Sequence, residues 1–355
     1  MLSYISAKEA ASKWDISQRR VAVLCSENRI DGAMMVGNMW IIPATAKKPE
    51  DKRAIRYEGA QKVALKPFVK WAGGKSQLVD ELEKLLPEDS ENGYTKYAEP
   101  MVGGGALLFK FLSEGRFEQY YISDINSELV NAYNVIKNDV ERLIEKLSEM
   151  KALFLSMHEN GRKLYYYSVR DKFNTTELNE DTAVDKAAYF IFLNKTCFNG
   201  LYRVNKKGLF NVPMGSYKNP SICDADNLRN IHSALKNVTI VCGDYTLCSS
   251  FVDKNTLVYI DPPYRPISQT AAFTAYSTDV FNDDEQIRLA RFVDKLNACG
   301  AKIVLSNSDP KNIDASDNFF DDLYSKYSIH RVSAVRMINS NSEKRGAIKE
   351  LIICN

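Results

Sequence analysis

The chain has 355 residues, 26% of them charged and 45% hydrophobic, with a formal net charge of +2. That length suits two or three domains around a sizeable core, and the composition is that of a soluble globular protein. A membrane span is excluded, because no apolar run approaches the ~20 residues it needs. The near-neutral total leaves any nucleic-acid contact to local clusters of charge. Seven cysteines are scattered, with no C-x-x-C pair and no histidine at metal spacing. Reduced thiols, a cytoplasmic setting and no metal site are expected. The N-terminus lacks the layout of a signal peptide.

Residues 1–48 read as a small module. Ser6-Ala7-Lys8-Glu9 is a capping box, so a short helix should run to about Lys13. Ser17 should cap a second helix to about Asn28. Met34-Met35-Val36, Gly37-Asn38 and Met39-Trp40-Ile41-Ile42 then read as a hairpin, since Gly-Asn supplies a turn with φ > 0. Two helices and a hairpin resemble a winged helix-turn-helix of the excisionase-like kind, which implies a second helix in a DNA major groove. A protein-docking or structural mini-domain would share this pattern. Residues 1–65 hold 11 basic and 7 acidic residues. Residues 49–65 are charged and aperiodic and read as a linker.

Residues 66–134 begin a sheet. Trp71-Ala72-Gly73-Gly74-Lys75 precedes an apolar-periodic helix, Ser76 to Leu86. The glycine pair is not a phosphate loop, because the earlier glycine is missing. Tyr97-Ala98-Glu99-Pro100 then leads into Met101-Val102-Gly103-Gly104-Gly105 and a helix, the first βα unit of a doubly wound sheet. Tyr120-Tyr121-Ile122-Ser123-Asp124 is a second strand ending in a carboxylate, placed to hold ribose hydroxyls. The glycine spacing disfavours a dinucleotide, so a nucleoside cofactor without pyrophosphate fits better.

Residues 135–236 read as an insert. Amphipathic helices are expected at Val140 to His158, Leu164 to Phe173 and Asp181 to Leu193. From Asn194 to Lys218 there are five basic residues and no acidic one, interleaved with aromatics and amides. A surface touching phosphates, base edges and unstacked bases needs that mixture.

Residues 237–355 return to the core. Val238 to Cys242 should be a strand, with Asp244 and Tyr245 just beyond it. Leu257-Val258-Tyr259-Ile260 reads as a strand buried on both faces, and Asp261-Pro262-Pro263-Tyr264 stops it. Asp261 is thereby aimed at the crevice beyond the sheet. An exocyclic amine on a base is a poor nucleophile, because its lone pair is delocalised into the ring. The Asp261 carboxylate and the Pro262 carbonyl can accept its two N–H bonds, and Tyr264 offers a face on which a flipped base stacks. Ser268 to Tyr276 reads as a loop over the site. Ala301 to Ser308 is a strand with a polar end at the crevice, Val332 to Ile338 and Lys349 to Cys354 are closing strands, and Asn339 to Arg345 is a basic loop between them. His158, His232 and His330 are read as neither ligands nor bases.

From Pro67 to Asn355 the set Lys70-Trp71-Ala72-Gly73-Gly74-Lys75, Glu99-Pro100, Ser123-Asp124-Ile125-Asn126 and Asp261-Pro262-Pro263-Tyr264 resembles the DNA adenine-N6 methyltransferases, more narrowly the Dam-type group of the D12 class that methylates GATC. The resemblance implies an α/β fold: a Rossmann-like class I methyltransferase core (66–134 and 237–355) with a helical target-recognition insert (135–236). It implies S-adenosylmethionine as donor and double-stranded DNA as partner, with the enzyme acting as a monomer. Trp71, Lys75, Glu99, Gly103, Asp124, Asp244, Tyr245 and Asp261 match cofactor-side positions. Met101 stands where the family usually has Phe. In the 194–218 segment the match implies that Arg203 reads a guanine edge, that Leu201 and Pro213 touch thymine methyls, and that Phe198 wedges into the stack. Asn199 would assist at the flipped base, and Asn205, Tyr217 and Lys218 would hold phosphates. A catalytically silent DNA-binding regulator remains the alternative. Methylation of another planar amine, in RNA or in a protein glutamine, is a further rival; the glutamine enzymes favour Asn where this chain has Asp261.

Overall fold

A computed structural model describes residues 4–14, 18–26, 29–37, 39–48, 64–71, 82, 84–85, 93–265, 281–335 and 347–355. The chain divides into two compact units, Met1–Gln61 and Lys62–Asn355.

The first unit holds β1 (Tyr4–Ser6), α1 (Ala7–Trp14), α2 (Gln18–Ser26), β2 (Met34–Val36) and β3 (Met39–Pro43). The capping box forms in full. The Glu9 backbone N–H donates to Ser6 Oγ, and the Ser6 N–H donates back to Glu9 Oε2. Two orphan donors at the start of α1 are satisfied in this way. The β2–β3 hairpin turns through Gly37, whose φ of 62° suits glycine. Strand β1 was not expected from the sequence; three residues are too few to show a period of two, yet they pair antiparallel with β3. Ala10, Trp14, Val21, Leu24 and Ile42 form this unit's core.

The second unit is built on β4 (Lys96–Pro100), β5 (Gln119–Asp124), β6 (Val238–Cys242), β7 (Thr256–Ile260), β8 (Lys302–Ser308), β9 (Ser328–Val335) and β10 (Ala347–Cys354). Their order in the sheet is β6-β5-β4-β7-β8-β10-β9. The first five run parallel, and β10 pairs antiparallel with both β8 and β9. The chain leaves β4 toward β5 and β6, then returns to the other side of β4 with β7 and β8. The order therefore reverses between β4 and β7, and ligands of open α/β sheets bind in the crevice beyond such a point.

Helices cover both faces. Between the strands lie α3 (Ala106–Glu114), α4 (Ser127–Asn138), α5 (Val140–Ser156), α6 (Glu159–Thr175), α7 (Ala183–Thr196), α8 (Ala225–Leu235), α9 (Asp283–Ala298) and α10 (Phe319–Leu323). Leu257 and Tyr259 of β7 face one core together with residues of α3 to α8, while Val258 and Ile260 face a second core with α9 and α10. All five residues of β7 are buried, as a parallel strand covered on both faces requires. Helix α6 begins five residues before the expected Leu164. Asn160 and Gly161 break the apolar period there, but the His158 side chain accepts from the Gly161 N–H and caps the helix. Lys186 of α7 is buried and paired with Glu128 of α4 at 2.8 Å, tying these two helices together.

Candidate active site

Asp261 follows the last residue of β7, where the ladder stops and two prolines stiffen the exit. Among the described residues, the anchors on this turn come from distant parts of the chain. The Ser306 hydroxyl on β8 donates to Asp261 Oδ1 at 3.0 Å, and Ser306 Oγ lies 3.0 Å from the Tyr259 hydroxyl. Buried Gln286 of α9 donates its amide to the Pro263 carbonyl and accepts from Asn307 Nδ2. The Tyr264 hydroxyl donates to Glu350 Oε2 of β10 at 2.9 Å. Arg265 closes the turn on Asp283 and Asp317, with its guanidinium 4.2 Å from the Phe319 ring centre.

Across the switch point stands the glycine turn. Met101, Gly103 and Gly105 all have positive φ, of 74°, 50° and 66°. Left-handed backbone is costly for a methionine. The N–H groups of Met101 and Val102 both donate to the Ser123 carbonyl and hold the turn against β5. A Cβ on Gly103 would lie 2.7 Å from the Trp71 indole, and one on Gly105 would lie 2.5 Å from the Tyr133 hydroxyl. Only glycine lets the turn pass under both rings. Asp124 Oδ2 accepts from the Gly103 N–H at 3.0 Å, and Asp124 Oδ1 accepts from the Asn126 N–H. Burial raises the Asp124 carboxyl above its usual range, against the pull of these backbone donors.

Glu99, near the end of β4, is buried. Its Oε2 accepts from the Tyr97 hydroxyl at 2.8 Å. Burial pushes its pKa up to about 8; the Tyr97 hydrogen bond opposes that rise, and the negative charge of Asp261 adds to it. The two carboxyl groups thus sense one another across the strand-order reversal.

Asp244 and Tyr245 lie beside Asp124, because the Gly243 N–H donates to the Asp124 carbonyl. The Asp244 carboxylate is already engaged: Oδ1 accepts from the Thr246 N–H and hydroxyl, and Arg288 grips both oxygens. Arg288 also sits over the Tyr245 ring. The Tyr245 hydroxyl is buried and makes no hydrogen bond among the described residues. Lys75 lies outside the described residues, as do the stretch 268–276 and the loop 339–345. Of the helix expected at 76–86 only 82, 84 and 85 are described, and these are helical.

The basic segment after α7 is a hairpin fastened to the Lys70–Trp71 stretch. The Asn194 side chain accepts from the Lys70 N–H and donates to the Lys70 and Gly200 carbonyls. Trp71 stacks on Tyr202 with ring centres 5.8 Å apart, so one indole touches both the glycine turn and the hairpin. Phe198 is 52% exposed. Asn199 is left-handed with φ 54°, a conformation asparagine tolerates better than most residues. Arg203 Nε donates to Asn211 Oδ1 at 2.8 Å, which braces its exposed guanidinium. Lys70 Nζ lies 3.9 Å from the Tyr217 ring centre. Leu201 packs against the core, Pro213 accepts from the Phe198 N–H, and the Lys218 carbonyl accepts from Arg162. The Asn205 side-chain oxygen accepts from Lys207 and Leu209 N–H groups and closes the hairpin tip, so that atom serves the turn.

Sequence reading missed Ser306, Gln286, Asn307 and Glu350. The one local signal was polar residues in an otherwise apolar strand, at 306–308. Among the described residues no group of side chains suits a metal, and no helix is long and apolar enough to cross a membrane.

The family described as D12 class N6 adenine-specific DNA methyltransferases matches residues 71–338. The type II methyltransferase M.MjaIII of Methanocaldococcus jannaschii is 52% identical over 82% of this chain and 99% of its own length. The type II methyltransferase M1.LlaDCHI of Lactococcus lactis subsp. cremoris is 36% identical over 83% of this chain and 96% of its own. A DNA adenine methylase of Haemophilus influenzae is 35% identical over 82% and 94%. With one family spanning both the glycine turn and the Asp-Pro-Pro-Tyr turn, the chain belongs to the D12 class of N6 adenine-specific DNA methyltransferases.

Proposed function

We propose that the enzyme transfers a methyl group from S-adenosylmethionine to N6 of an adenine swung out of double-stranded DNA, within GATC. The observation that carries this reading is the placement of Glu99 and Asp261 at the carboxyl ends of neighbouring strands β4 and β7, where strand order reverses, with the glycine turn directly after β4.

The residues present fit such a donor. The glycine turn has no room for a side chain under Trp71, and Asp124 and Asp261 supply the negative surroundings a cationic sulfonium favours. Trp71 and Gly103 would flank the donor, Asp124 would hold its ribose, and Asp244 with the Tyr245 hydroxyl, which has no hydrogen-bond partner among the described residues, would meet its base. When bound, the donor supplies an electrophilic methyl group, so no activated nucleophilic side chain is required. Asp261 and the Pro262 carbonyl accept the two N–H bonds of the target amine and localise its lone pair. Tyr264 stacks on the base, and the held turn keeps these groups in place before DNA arrives.

The hairpin at 194–218 reads the site. Arg203 takes a guanine edge, worth ~1–3 kcal/mol of discrimination. Leu201 and Pro213 meet thymine methyls, Phe198 wedges into the stack, and Asn199 assists at the opened pair. Asn205, through its amide nitrogen, Tyr217 and Lys218 contact phosphates. The two helices and hairpin of the first unit form a winged helix-turn-helix that adds DNA contacts. Methylation-sensitive digestion tests the reading: DNA with GATC and near-cognate sites is incubated with enzyme and S-adenosylmethionine. Protection confined to GATC is expected; protection elsewhere, or none, contradicts it.

A further inference from the structure

We propose that Glu350 is a positioning residue for the target base, fixing the angle of the Tyr264 ring on which that base stacks. The inference rests on the reading of Tyr264 given above.

Its support is the way the turn is divided among its anchors. The turn has two anchors apart from the residues that face the base: Gln286 holds the Pro263 carbonyl, and the Arg265 side chain at the turn's end is paired with Asp283 and Asp317. The side chains are held separately. Ser306 of β8 donates to Asp261, and Glu350 of β10 accepts from Tyr264. Glu350 lies opposite Ser308 in the β8–β10 register, two residues beyond Ser306 on the paired strand. One strand pair therefore sets both side chains that face the base. A ring held by packing alone can swing about χ1 and χ2. A hydrogen bond at its far end, from a residue 86 positions away on a buried strand, removes that freedom. Because the turn has these other anchors, the contact with Glu350 governs ring angle rather than whether the turn folds. Lost angular control lowers the rate of transfer and leaves DNA affinity to the hairpin.

The full chain is compared with Glu350→Leu, Glu350→Gln, Tyr264→Phe and the double variant Y264F/E350L. Three quantities are read: the single-turnover methylation rate, the DNA Kd by anisotropy, and the fluorescence of 2-aminopurine at the target adenine. Glu350→Leu and Tyr264→Phe should each slow transfer roughly 10- to 100-fold with DNA Kd unchanged and altered 2-aminopurine emission. Glu350→Gln should keep most of the rate, since its amide oxygen still accepts the phenolic proton. The double variant should be no slower than either single one. Wild-type rates for Glu350→Leu, losses that multiply in the double variant, or Glu350→Gln as slow as Glu350→Leu each overturn the proposal. If Glu350→Leu does not fold, Tyr264→Phe carries the test, and a wild-type rate there overturns it. Asp261→Ala run alongside separates the two readings. If Asp261 is required and Glu350 is not, only this proposal falls; if Asp261 is dispensable, the reading beneath it falls as well.

Discussion

At the scale of single residues, the site depends on carboxyl groups in unequal surroundings. Asp261 sits at the crevice with Ser306 on one oxygen, while Glu99 is buried beneath, capped by Tyr97. With a folded-state pKa of about 8 against 4.5 for a free glutamate, Glu99 holds its proton in the folded enzyme at pH values where the unfolded chain has lost it. The folded state binds more protons, so stability falls as pH rises from about 4.5 to about 8 and then levels. Glu99→Gln removes that dependence. Its melting temperature should gain on wild type steadily from pH 5 toward pH 8, read by differential scanning fluorimetry without added cofactor. A gap that stays constant with pH would mean Glu99 is ionised throughout. The Asp-Pro-Pro-Tyr sequence made Asp261, Pro262 and Tyr264 legible, because its chemistry is local. Ser306, Gln286 and Glu350 were not legible: their partners lie 45, 23 and 86 residues away, and a buried polar residue in a strand does not name what it touches.

Elements show the same division. The carboxyl ends of β4 to β8, the capping box and the β2–β3 hairpin are written in a few adjacent residues, and they form where expected, whereas β9 begins at Ser328, four residues before the expected Val332. The start of α6 was hidden because His158 replaces the usual small polar cap, and Gly161 disturbs the period behind it. The glycine turn was readable as a turn, but its crowding was not. Trp71 reaches it from another segment and leaves no space over Gly103. Gly103→Ala should therefore act twice. Left-handed backbone costs about 1–2 kcal/mol with a side chain present, and the new methyl would push the indole off both the turn and Tyr202. Chemical denaturation should report the first effect, and calorimetric titration with S-adenosylhomocysteine should report a weakened or lost site. Unchanged stability and affinity would show that the turn relaxes freely.

Across the whole molecule, the parallel sheet turns distant residues into neighbours. Glu99, Asp124, Asp261 and Ser306 come from β4, β5, the end of β7 and β8, and all lie at the carboxyl ends of those strands or just beyond. The α/β class was legible because strand-ending carboxylates recur along the sequence. The antiparallel insertion of β10 between β8 and β9 is what brings Glu350 to the site, and order within a sheet leaves no mark in local sequence. Held by this framework, Asp261 is proposed to accept the amine of the target adenine. Transfer of a radiolabelled methyl group to unmethylated GATC duplex tests it most directly, comparing wild type with Asp261→Ala at matched folding and DNA affinity. The variant is expected to melt cooperatively, still bind DNA, and transfer no methyl above background. Turnover near the wild-type rate in Asp261→Ala would contradict that role.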